Sequence, residues 1–310
     1  MKSSSSKPRS RRDVRHVPVL LPQVLQALDP KPGEIFVDCT TGLGGHSAEI
    51  LRRIGPQGRL ICIDFDPANL ERARAVLEPI GAPFTLVHHN FAALPSILAD
   101  AGIARVDGLL ADLGVASPQI DDPARGFSYR QPGPLDMRMD PTRGQPASSL
   151  VNRLSERELS NLLLELGDET DAPQIAKLIV DRRMTQPIQT TQELMAIVCE
   201  ARDFTIERAG GAKLHPAART FQALRILVNR ELANLERLLT VVPDHLAPGG
   251  RAAIISFHSG EDRRVKEAFK QGSRSGVYAQ VSREPLAANE EEIRRNGRSR
   301  SAKLRWAVKA

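Results

Sequence analysis

The sequence predicts an α/β fold in which a parallel sheet is interrupted by an inserted segment of loops and helices. Short apolar runs alternate with helical segments between residues 34 and 114, an order typical of parallel strands joined by crossover helices. Roughly 100 residues without a strand pattern follow, which is a common length for a domain. A strand pattern then resumes at Arg251, so the end of the chain is expected to complete the same sheet.

Four strands and three helices are predicted before the interruption. The strands are short apolar runs at Glu34–Thr40, Arg59–Asp66, Phe84–Asn90 and Val106–Gly114. The helices that alternate with them are Gly44–Ile54, Pro67–Leu77 and Leu94–Asp100. Proline fits the first position of the second helix, because its missing N–H would find no partner there in any case.

The interrupting segment begins with a loop and continues as helices. Residues 116–145 are rich in Pro, Gly and Asp and have no periodicity. Ser155 with Glu158, and Thr190 with Glu193, have the spacing of capping boxes, in which the hydroxyl and the carboxylate bond free N–H groups at a helix start. Helices are predicted at 155–166, 172–183 and 191–201.

After the insert, the pattern of the core returns. Pro216–Leu246 is predicted as one long amphipathic helix, and Pro248–Gly250 as a turn. The apolar face of that helix consists of Phe221, Leu224, Val228, Leu232, Leu235 and Leu239. The remaining predicted elements are a strand at Arg251–His258, a helix at Glu261–Lys270 and a strand at Lys303–Val308.

The composition is that of a globular protein. Of 310 residues, 41% are hydrophobic and 26% are charged, which excludes collagen, coiled coil and wholesale disorder. The three cysteines, Cys39, Cys62 and Cys199, cannot form a disulfide framework, so a reducing compartment and a cytoplasmic location are expected. No segment approaches the ~18 consecutive apolar residues of a membrane span, so no membrane partner is expected.

The net charge of +6 is concentrated at the two ends of the chain. Residues 1–16 carry +5 and residues 283–310 carry +4, whereas the part between them carries −3. Basic ends favour a polyanion such as RNA, because neutralised phosphates release counterions. For residues 1–12, which are predicted to be disordered, a solvated tail that aids solubility is an equally good interpretation.

A glycine-rich turn follows the first predicted strand and opens the first predicted helix. Gly42, Gly44 and Gly45 permit a tight turn and a close approach to a ligand, and the helix start offers free N–H groups to an anion. Twenty residues after Gly44 comes Asp64, whose carboxylate can accept hydrogen bonds from a ribose diol. This combination predicts an adenosine-containing cofactor, since a plain turn needs neither three glycines nor that acid.

Three further residues lie at predicted strand ends. Asp66 precedes Pro67 and is interpreted as a helix cap rather than a ligand. Phe91 follows the third strand, where its ring could either stack on adenine or pack in the core. Asp112 ends the fourth strand, at the edge where open α/β sheets bind their ligands.

The spacing around the glycines distinguishes between two cofactor classes. Asp38 stands four residues before Gly42, and this D-x-x-x-G-x-G arrangement resembles the first motif of class I methyltransferases that use S-adenosylmethionine. A nicotinamide-dependent oxidoreductase is disfavoured, because Ser47 replaces the third glycine of the dinucleotide fingerprint and no catalytic Tyr/Lys or His constellation is found.

Longer motifs carry a more specific resemblance. They are HVPVLL (16–21), VDCTTGLGGHS (37–47), DLGVASPQID (112–121), RGFSYRQPGPLDMRMDPTRG (125–144), HPAARTFQALRILVN (215–229), LAPGGRAAIISFHSGEDRRVK (246–266) and RSRSAKLR (298–305). In this order they resemble the ribosomal RNA small subunit methyltransferase H family.

The resemblance implies a chemistry, a fold and a donor site. It implies transfer of a methyl group from S-adenosylmethionine to the N4 amine of a cytosine in the decoding region of 16S ribosomal RNA, within the small ribosomal subunit. The fold that it implies is a class I Rossmann-like methyltransferase core with an inserted all-helical domain. The donor contacts that it implies are Gly44, Gly45, His46, Asp64, Phe91, Asp112 and Gln119.

We accordingly divide the chain into a disordered basic tail (1–15), a methyltransferase core (16–119 and 216–310) and an insert (120–215) that recognises the substrate. A base in RNA must be reached by flipping or from a single strand, which requires surface beyond the donor pocket. The alternative that stays open is a non-catalytic ribosome-assembly protein that binds RNA. The intact glycine loop, Asp64 and Asp112 argue against that alternative.

The residue that activates the amine is not assigned by spacing, because the aromatic motif of many amino methyltransferases is missing after Asp112. Asp136 and Asp140 are candidates for substrate contact, with a structural brace as an equal alternative.

Other polar residues have two interpretations each. His215, Arg219 and Arg225 could contact phosphate or form a helix start with solvated charges. His258 and Glu261 could line the cleft or cap the following helix. The seven His and three Cys show no spacing typical of metal ligands, so no metal is predicted.

Overall fold

The computed structural model describes residues 18–202 and 215–310. The predicted basic tail at residues 1–15 lies outside the described residues, as does His16 of the first family motif. Within the described ranges, no helix combines the length and the apolar character that crossing a membrane requires.

One mixed sheet of eight strands forms the centre of the fold. The strands are β1 (Ile35–Asp38), β2 (Arg59–Asp64), β3 (Phe84–His88), β4 (Val106–Asp112), β5 (Leu246–Ser256), β6 (Tyr278–Val281), β7 (Leu286–Ala287) and β8 (Lys303–Lys309). Their order is β3-β2-β1-β4-β5-β8-β6, and β7 pairs with β8. Strands β1 to β5 are parallel to one another, whereas β8 runs antiparallel to β5. The predicted α/β fold with a parallel sheet is thereby confirmed.

Helices connect and cover these strands. Those that precede β5 are α1 (Leu21–Leu28), α2 (Gly45–Ile54), α3 (Pro67–Leu77), α4 (Leu94–Asp100), α5 (Ser117–Asp121), α6 (Ala147–Arg153), α7 (Glu156–Gly167), α8 (Ala172–Arg183), α9 (Thr191–Ala201), α10 (Ala218–Asn229) and α11 (Glu231–His245). Those that follow it are α12 (Ser259–Arg274) and α13 (Glu290–Arg295). The capping boxes predicted at Ser155 and Thr190 are both formed.

The two faces of the sheet are covered by separate hydrophobic cores. Alternate side chains of one strand face opposite sides, so Phe36 packs in the core with α1, α2 and α3, whereas Val37 packs in the core with α4, α11 and α12. A third core lies away from the sheet and is formed by residues between Leu135 and Leu224. It includes side chains of α10, a helix that our division of the chain assigned to the methyltransferase core.

The single long helix predicted over Pro216–Leu246 was wrong. Arg230 has left-handed backbone angles, with φ +52°, and separates α10 from α11. The apolar spacing continues across the break, but Phe221 packs in the third core whereas Leu235 packs against the sheet. Periodicity alone predicted one helix because it does not distinguish two cores that follow the same spacing.

The fifth strand begins five residues earlier than predicted. Pro248–Gly250 was predicted as a turn, but β5 starts at Leu246, which pairs with Val106. A register shift follows before Gly108 pairs with Arg251, and Gly249 has a φ of +76°. The glycines thus accommodate a register shift within β5, and they do not end the strand. Four short helices (α1, α5, α6 and α13) and the strands β6 and β7 were not predicted.

Candidate active site

A cavity of about 360 Å³ opens at the carboxyl ends of the parallel strands. The strand order reverses between β1 and β4, and this is the place where sheets of this class bind ligands. Six of the seven predicted donor contacts line the cavity, namely Gly45, His46, Asp64, Phe91, Asp112 and Gln119. Gly44, the seventh, does not line it.

Gly44 is required for a local reason. Its φ is +80°, and a Cβ there would lie 3.2 Å from the Cα of Ala73 on α3. Its N–H donates to the carbonyl oxygen of Thr41. The residue therefore allows α2 to start close against α3. At Gly45, a Cβ would lie 2.5 Å from Cγ of Pro18, so that glycine accommodates the segment that precedes α1.

Asp38 is buried beneath the glycine loop. The Ser47 hydroxyl donates to Asp38 Oδ2 over 2.6 Å, and the N–H of Thr40 donates to Oδ1 over 3.1 Å. Burial raises the pKa of Asp38 to about 6, although both hydrogen bonds lower it. Ser47 stands in place of the third glycine of the dinucleotide fingerprint. Its hydroxyl is thus a hydrogen-bond partner of Asp38, the first residue of the D-x-x-x-G-x-G motif.

Asp64 braces the same loop from β2. It is 9% exposed, and its carboxylate accepts the N–H of Gly42 (2.7 Å), the N–H of Asp66 (2.8 Å) and Nδ2 of Asn69 (3.2 Å). Burial raises the pKa of Asp64 to about 6. A carboxylate has about four acceptor positions, so room is left for roughly one further hydrogen bond to a ligand.

Asp66 caps α3 as predicted. It also connects α3 with α5 and with the proline-rich loop. Its Oδ1 accepts the N–H of Ala68, while its Oδ2 accepts from Nε2 of Gln119 (2.9 Å) and from Nη1 of Arg125 (2.7 Å). Arg125 was missed by sequence reasoning, because residues 116–145 have no periodicity to show which side chains point inward.

Arg125 extends this connection into the proline-rich loop. Its Nη2 donates to the carbonyl oxygens of Arg138 and Met139, and Met139 lines the cavity. Arg298, from the last family motif, contacts Ser117 and Asp121 on α5 and also lines the cavity. The helix that carries Gln119 is therefore held from both sides.

Phe91 packs against the core, which was one of its two interpretations, and its stacking on adenine stays a prediction. It lines the cavity, and it also packs against the core beneath β4. The N–H of Ala92 donates to the Asn90 side chain, which fixes the short turn that starts at Phe91.

Asp112 and His46 lie together between the glycine loop and the end of β4. Oδ2 of Asp112 is 3.6 Å from Nδ1 of His46, and Nε2 of His46 lies 2.9 Å from the carbonyl oxygen of Val19. Oδ1 of Asp112 is buried and has no hydrogen-bond partner among the described residues. Burial raises the pKa of Asp112, and the charges of Asp38 and Glu261 raise it further.

The far side of the cavity is lined by residues that were not predicted as donor contacts. Arg225 and Glu231 form a bidentate ion pair across the break between α10 and α11, with Nε–Oε1 and Nη2–Oε2 both 2.8 Å. Glu261 accepts the N–H of Phe257, which lies just before α12, and it lines the cavity as well. Helix α12 has no side-chain cap hydrogen bond at its N-cap, His258. Nε2 of His258 is 3.3 Å from Glu261.

Within residues 18–202 and 215–310, one group of side chains has the spacing to hold a cation, namely Glu231, His258 and Glu261. The guanidinium of Arg225 already neutralises Glu231, so a divalent ion there would meet a positive charge. We interpret the group as a network of ion pairs, and the absence of a metal stays a prediction.

Two other candidates are engaged in their own loop. Asp136 forms a bidentate pair with Arg138, and Asp140 accepts from the N–H and the hydroxyl of Thr142. Neither residue lines the cavity. Oδ2 of Asp140 also lies 3.2 Å from Nε2 of His88 at the end of β3. Substrate contact by either residue stays a prediction.

His215 and Arg219 also lie away from the cavity. The His215 ring stacks on Tyr129 with 4.5 Å between centroids, and Arg219 donates to the carbonyl oxygen of Asp168. Arg225 does line the cavity, where it forms an ion pair with Glu231.

Comparison with known proteins identifies the family. The family model described as the MraW methylase family matches residues 13–310. A ribosomal RNA small subunit methyltransferase H of Heliobacterium modesticaldum is 44% identical over 311 residues, covering 95% of this chain and 98% of that protein. The protein of the same name from Halorhodospira halophila is 47% identical, covering 94% and 93%. A solved rRNA methylase structure from Streptococcus thermophilus is 11% identical with a TM-score of 0.42, covering 93% of each chain.

The predicted family resemblance and the predicted methyltransferase class are confirmed by these matches. Because the family model matches nearly the whole sequence, the chain belongs to the MraW methylase family.

Proposed function

We propose that this methyltransferase transfers a methyl group from S-adenosylmethionine to the N4 amine of a cytosine in the decoding region of 16S ribosomal RNA. S-adenosylmethionine is the methyl donor, as predicted. RNA is supported as the substrate by one observation. The chain is similar over nearly its full length to proteins named ribosomal RNA small subunit methyltransferase H. The N4 atom and the decoding region rest on the family resemblance of the sequence motifs.

The cavity suits an adenosine-containing donor. Its walls combine the start of α2, the carboxylate of Asp64 and the ring of Phe91. When bound, the donor supplies a sulfonium methyl group that is already activated. The chain's own task is then to hold the amine in line with that group and to exclude water, which is chiefly catalysis by positioning.

We infer that the insert at 120–215 presents the RNA to this cavity. Arg125 and Asn229 tie the proline-rich loop to the cavity wall, since Asn229 accepts the N–H of Met139 and donates to the carbonyl oxygen of Met137. The exposed Arg130 and Arg143 lie on the same loop, where they can meet phosphate. A ribosomal substrate also agrees with the predicted cytoplasmic location.

Methyl transfer to purified 30S subunits and to naked 16S rRNA tests this function. The donor is labelled in its methyl group, and the RNA is digested to nucleosides after the reaction. We expect the label to appear in N4-methylated cytidine. Transfer to a different nucleoside would contradict the cytosine assignment. Absence of transfer despite tight donor binding in calorimetry would favour the non-catalytic assembly protein.

The assignment of Asp64 to the donor site predicts a loss of affinity. In Asp64→Asn, one amide N–H faces either the Gly42 or the Asp66 N–H, so the loop loses an acceptor as well as the ligand contact. We expect donor affinity to fall by about tenfold to 100-fold, because hydrogen bonds to a charged group contribute about 1.5–3 kcal/mol. Calorimetric titration with S-adenosylhomocysteine measures this, with Glu71→Gln on the exposed face of α3 as the matched control. Unchanged affinity in Asp64→Asn would remove Asp64 from the site.

A further inference from the structure

Helix α12 presents a row of basic side chains to the solvent. The row consists of Arg263, Lys266, Lys270 and Arg274, all of them exposed, and we call it the basic stripe. At about 3.6 residues per turn, these four positions fall within roughly 80° of the helix circumference and extend over about 16 Å along its axis. The buried Val265 and Phe269 lie outside this arc and pack in the core beside the sheet, so they anchor the helix with the stripe facing outward.

Acidic side chains of the same helix neutralise little of this charge. Within residues 18–202 and 215–310, α12 forms ion pairs through Glu261, Asp262 and Arg264, and no member of the basic stripe takes part in one. Glu267 is the single exposed acid of α12. The four positive charges of the stripe and this one negative charge leave a net charge of +3 on the exposed side of the helix.

On two other helices, exposed arginines have a carboxylate about one turn away. Arg52 pairs with Glu49 on α2, and Arg295 pairs with Glu291 on α13. Residues 17–282, which contain α12, carry a net charge of −3. The basic stripe is therefore a local concentration of positive charge that the composition does not predict, and its potential is available to an external polyanion.

The basic stripe starts beside the cavity. Helix α12 follows β5 at the carboxyl end of the parallel strands, and Glu261 in its first turn lines the cavity. Arg263 comes two residues later, and from there the stripe leads away from the cavity along the helix. A strand that places one nucleotide in the cavity can therefore continue along α12.

We propose that the basic stripe binds the phosphate backbone of the ribosomal RNA next to the nucleotide that is methylated. This rests on the proposed function, which supplies RNA as the substrate. Lys and Arg bind phosphates without reading the sequence, so the stripe fixes the position of the strand and leaves the choice of nucleotide to the cavity. It is a contact of the methyltransferase core, separate from the one that we infer for the insert.

The chemistry of the stripe favours a nucleic acid over a protein as the partner. Large exposed hydrophobic side chains of the described residues lie elsewhere than on α12, at Val76, Leu164, Met184 and Leu286. A protein interface usually has an apolar core inside a polar rim, and this face of α12 offers no such core. Neutralised phosphates release counterions, and this release supplies affinity without any apolar contact.

Removing the four charges tests the proposal. The stripe variant combines Arg263→Gln, Lys266→Gln, Lys270→Gln and Arg274→Gln, since glutamine retains a high helix propensity. We expect the dissociation constant for protein-free 16S rRNA to rise roughly tenfold to 100-fold at about 0.15 M salt, and the slope of log K against log salt to become shallower by about 3. The KM for the RNA should rise in parallel, while kcat at saturating RNA stays unchanged, because the stripe contacts no reacting group.

A control variant removes the same number of charges from the other face of the sheet. It combines Arg52→Gln, Arg53→Gln, Arg72→Gln and Arg74→Gln, all at exposed positions of α2 and α3. Its affinity for the RNA should stay within about twofold of the unchanged enzyme, because charges beyond a Debye length of about 8 Å are largely screened. Both variants should bind S-adenosylhomocysteine like the unchanged enzyme, which shows that each is folded with its donor site intact.

The outcomes separate this inference from the proposed function. If the unchanged enzyme neither methylates nor binds 16S rRNA, the proposed function fails and the stripe loses its ligand. If the unchanged enzyme binds the RNA and the stripe variant keeps its affinity and salt slope, the stripe inference alone is wrong. Equal losses in the control variant would also overturn it, because net charge and not its place would be the cause. A loss of affinity for 30S subunits without any loss for protein-free rRNA would assign the stripe to a ribosomal protein instead.

Discussion

Arg225→Met is expected to lower the free energy of unfolding by about 3–5 kcal/mol, the cost of leaving one partner of a buried ion pair without the other. The pair with Glu231 is bidentate, and its side chains are only 19% and 9% exposed. Burial already raises the pKa of Glu231, and the Arg225 charge opposes that rise. Without Arg225, Glu231 would remain beside the carboxylate of Glu261 in a poorly solvated place.

A double-variant cycle distinguishes a lost charge from lost packing. Arg225→Met combined with Glu231→Leu should return to within about 1 kcal/mol of the unchanged protein, because no unpaired charge remains. Arg264→Met is the control, since its pair with Glu236 on the same α11 is more exposed and should contribute about 1 kcal/mol or less. Equilibrium denaturation is measured for the unchanged protein, Arg225→Met, Glu231→Leu, the double variant and Arg264→Met. Equal costs at Arg225 and Arg264 would mean that the buried pair is solvated.

Asp38→Asn is expected to stabilise the protein increasingly as the pH rises. The pKa of Asp38 is raised to about 6 in the folded protein from 3.8. The folded state therefore binds this proton more tightly than the unfolded chain, and the unchanged protein loses stability as the pH rises from about 4 through about 6. The asparagine variant has no such loss, so the difference in unfolding free energy should grow by about 2 kcal/mol between pH 4 and pH 7.

The measurement compares denaturation of both proteins at several pH values in that interval. Asp100→Asn, at an exposed residue, controls for the general effect of removing one carboxylate. The amide introduced by Asp38→Asn can still accept the N–H of Thr40 and can donate to the Ser47 hydroxyl, so the geometry of the loop is expected to persist. A pH-independent difference would show that Asp38 is not desolvated by folding.

Local sequence patterns predicted many elements well. The helices at 172–183 and 191–201 have the predicted bounds, because their starts depend on capping and helix-start preferences that lie within a few residues. The last strand was predicted at Lys303–Val308, and β8 extends one residue further, to Lys309. Strands β6 and β7 were missed because they are short edge elements, defined mainly by pairing with β8.

The predicted donor site was likewise foreseen only in part. Gly45, His46, Asp64, Phe91, Asp112 and Gln119 were expected together, and the fold does bring them to one cavity. Gly44 was expected to contact the donor, but it lies outside the cavity lining and accommodates α3, since a glycine in sequence does not say which neighbour needs the space. The links of Asp66 to Gln119 and Arg125 were not foreseen, because they join residues more than fifty positions apart.

The sequence by itself determined the alternation of strands and helices, the glycine turn and the family, because these depend on residues close together in the chain and on long matching motifs. Only the tertiary structure decided the break at Arg230 and the placement of Asp112, Glu231 and Glu261 in the lining of one cavity. Both depend on packing between segments that are distant in the chain. Helix α10 packs in the third core and α11 packs on the sheet, so the chain must turn between these two helices. That turn brings the Arg225–Glu231 pair to the cavity, where no periodicity or spacing could have placed it.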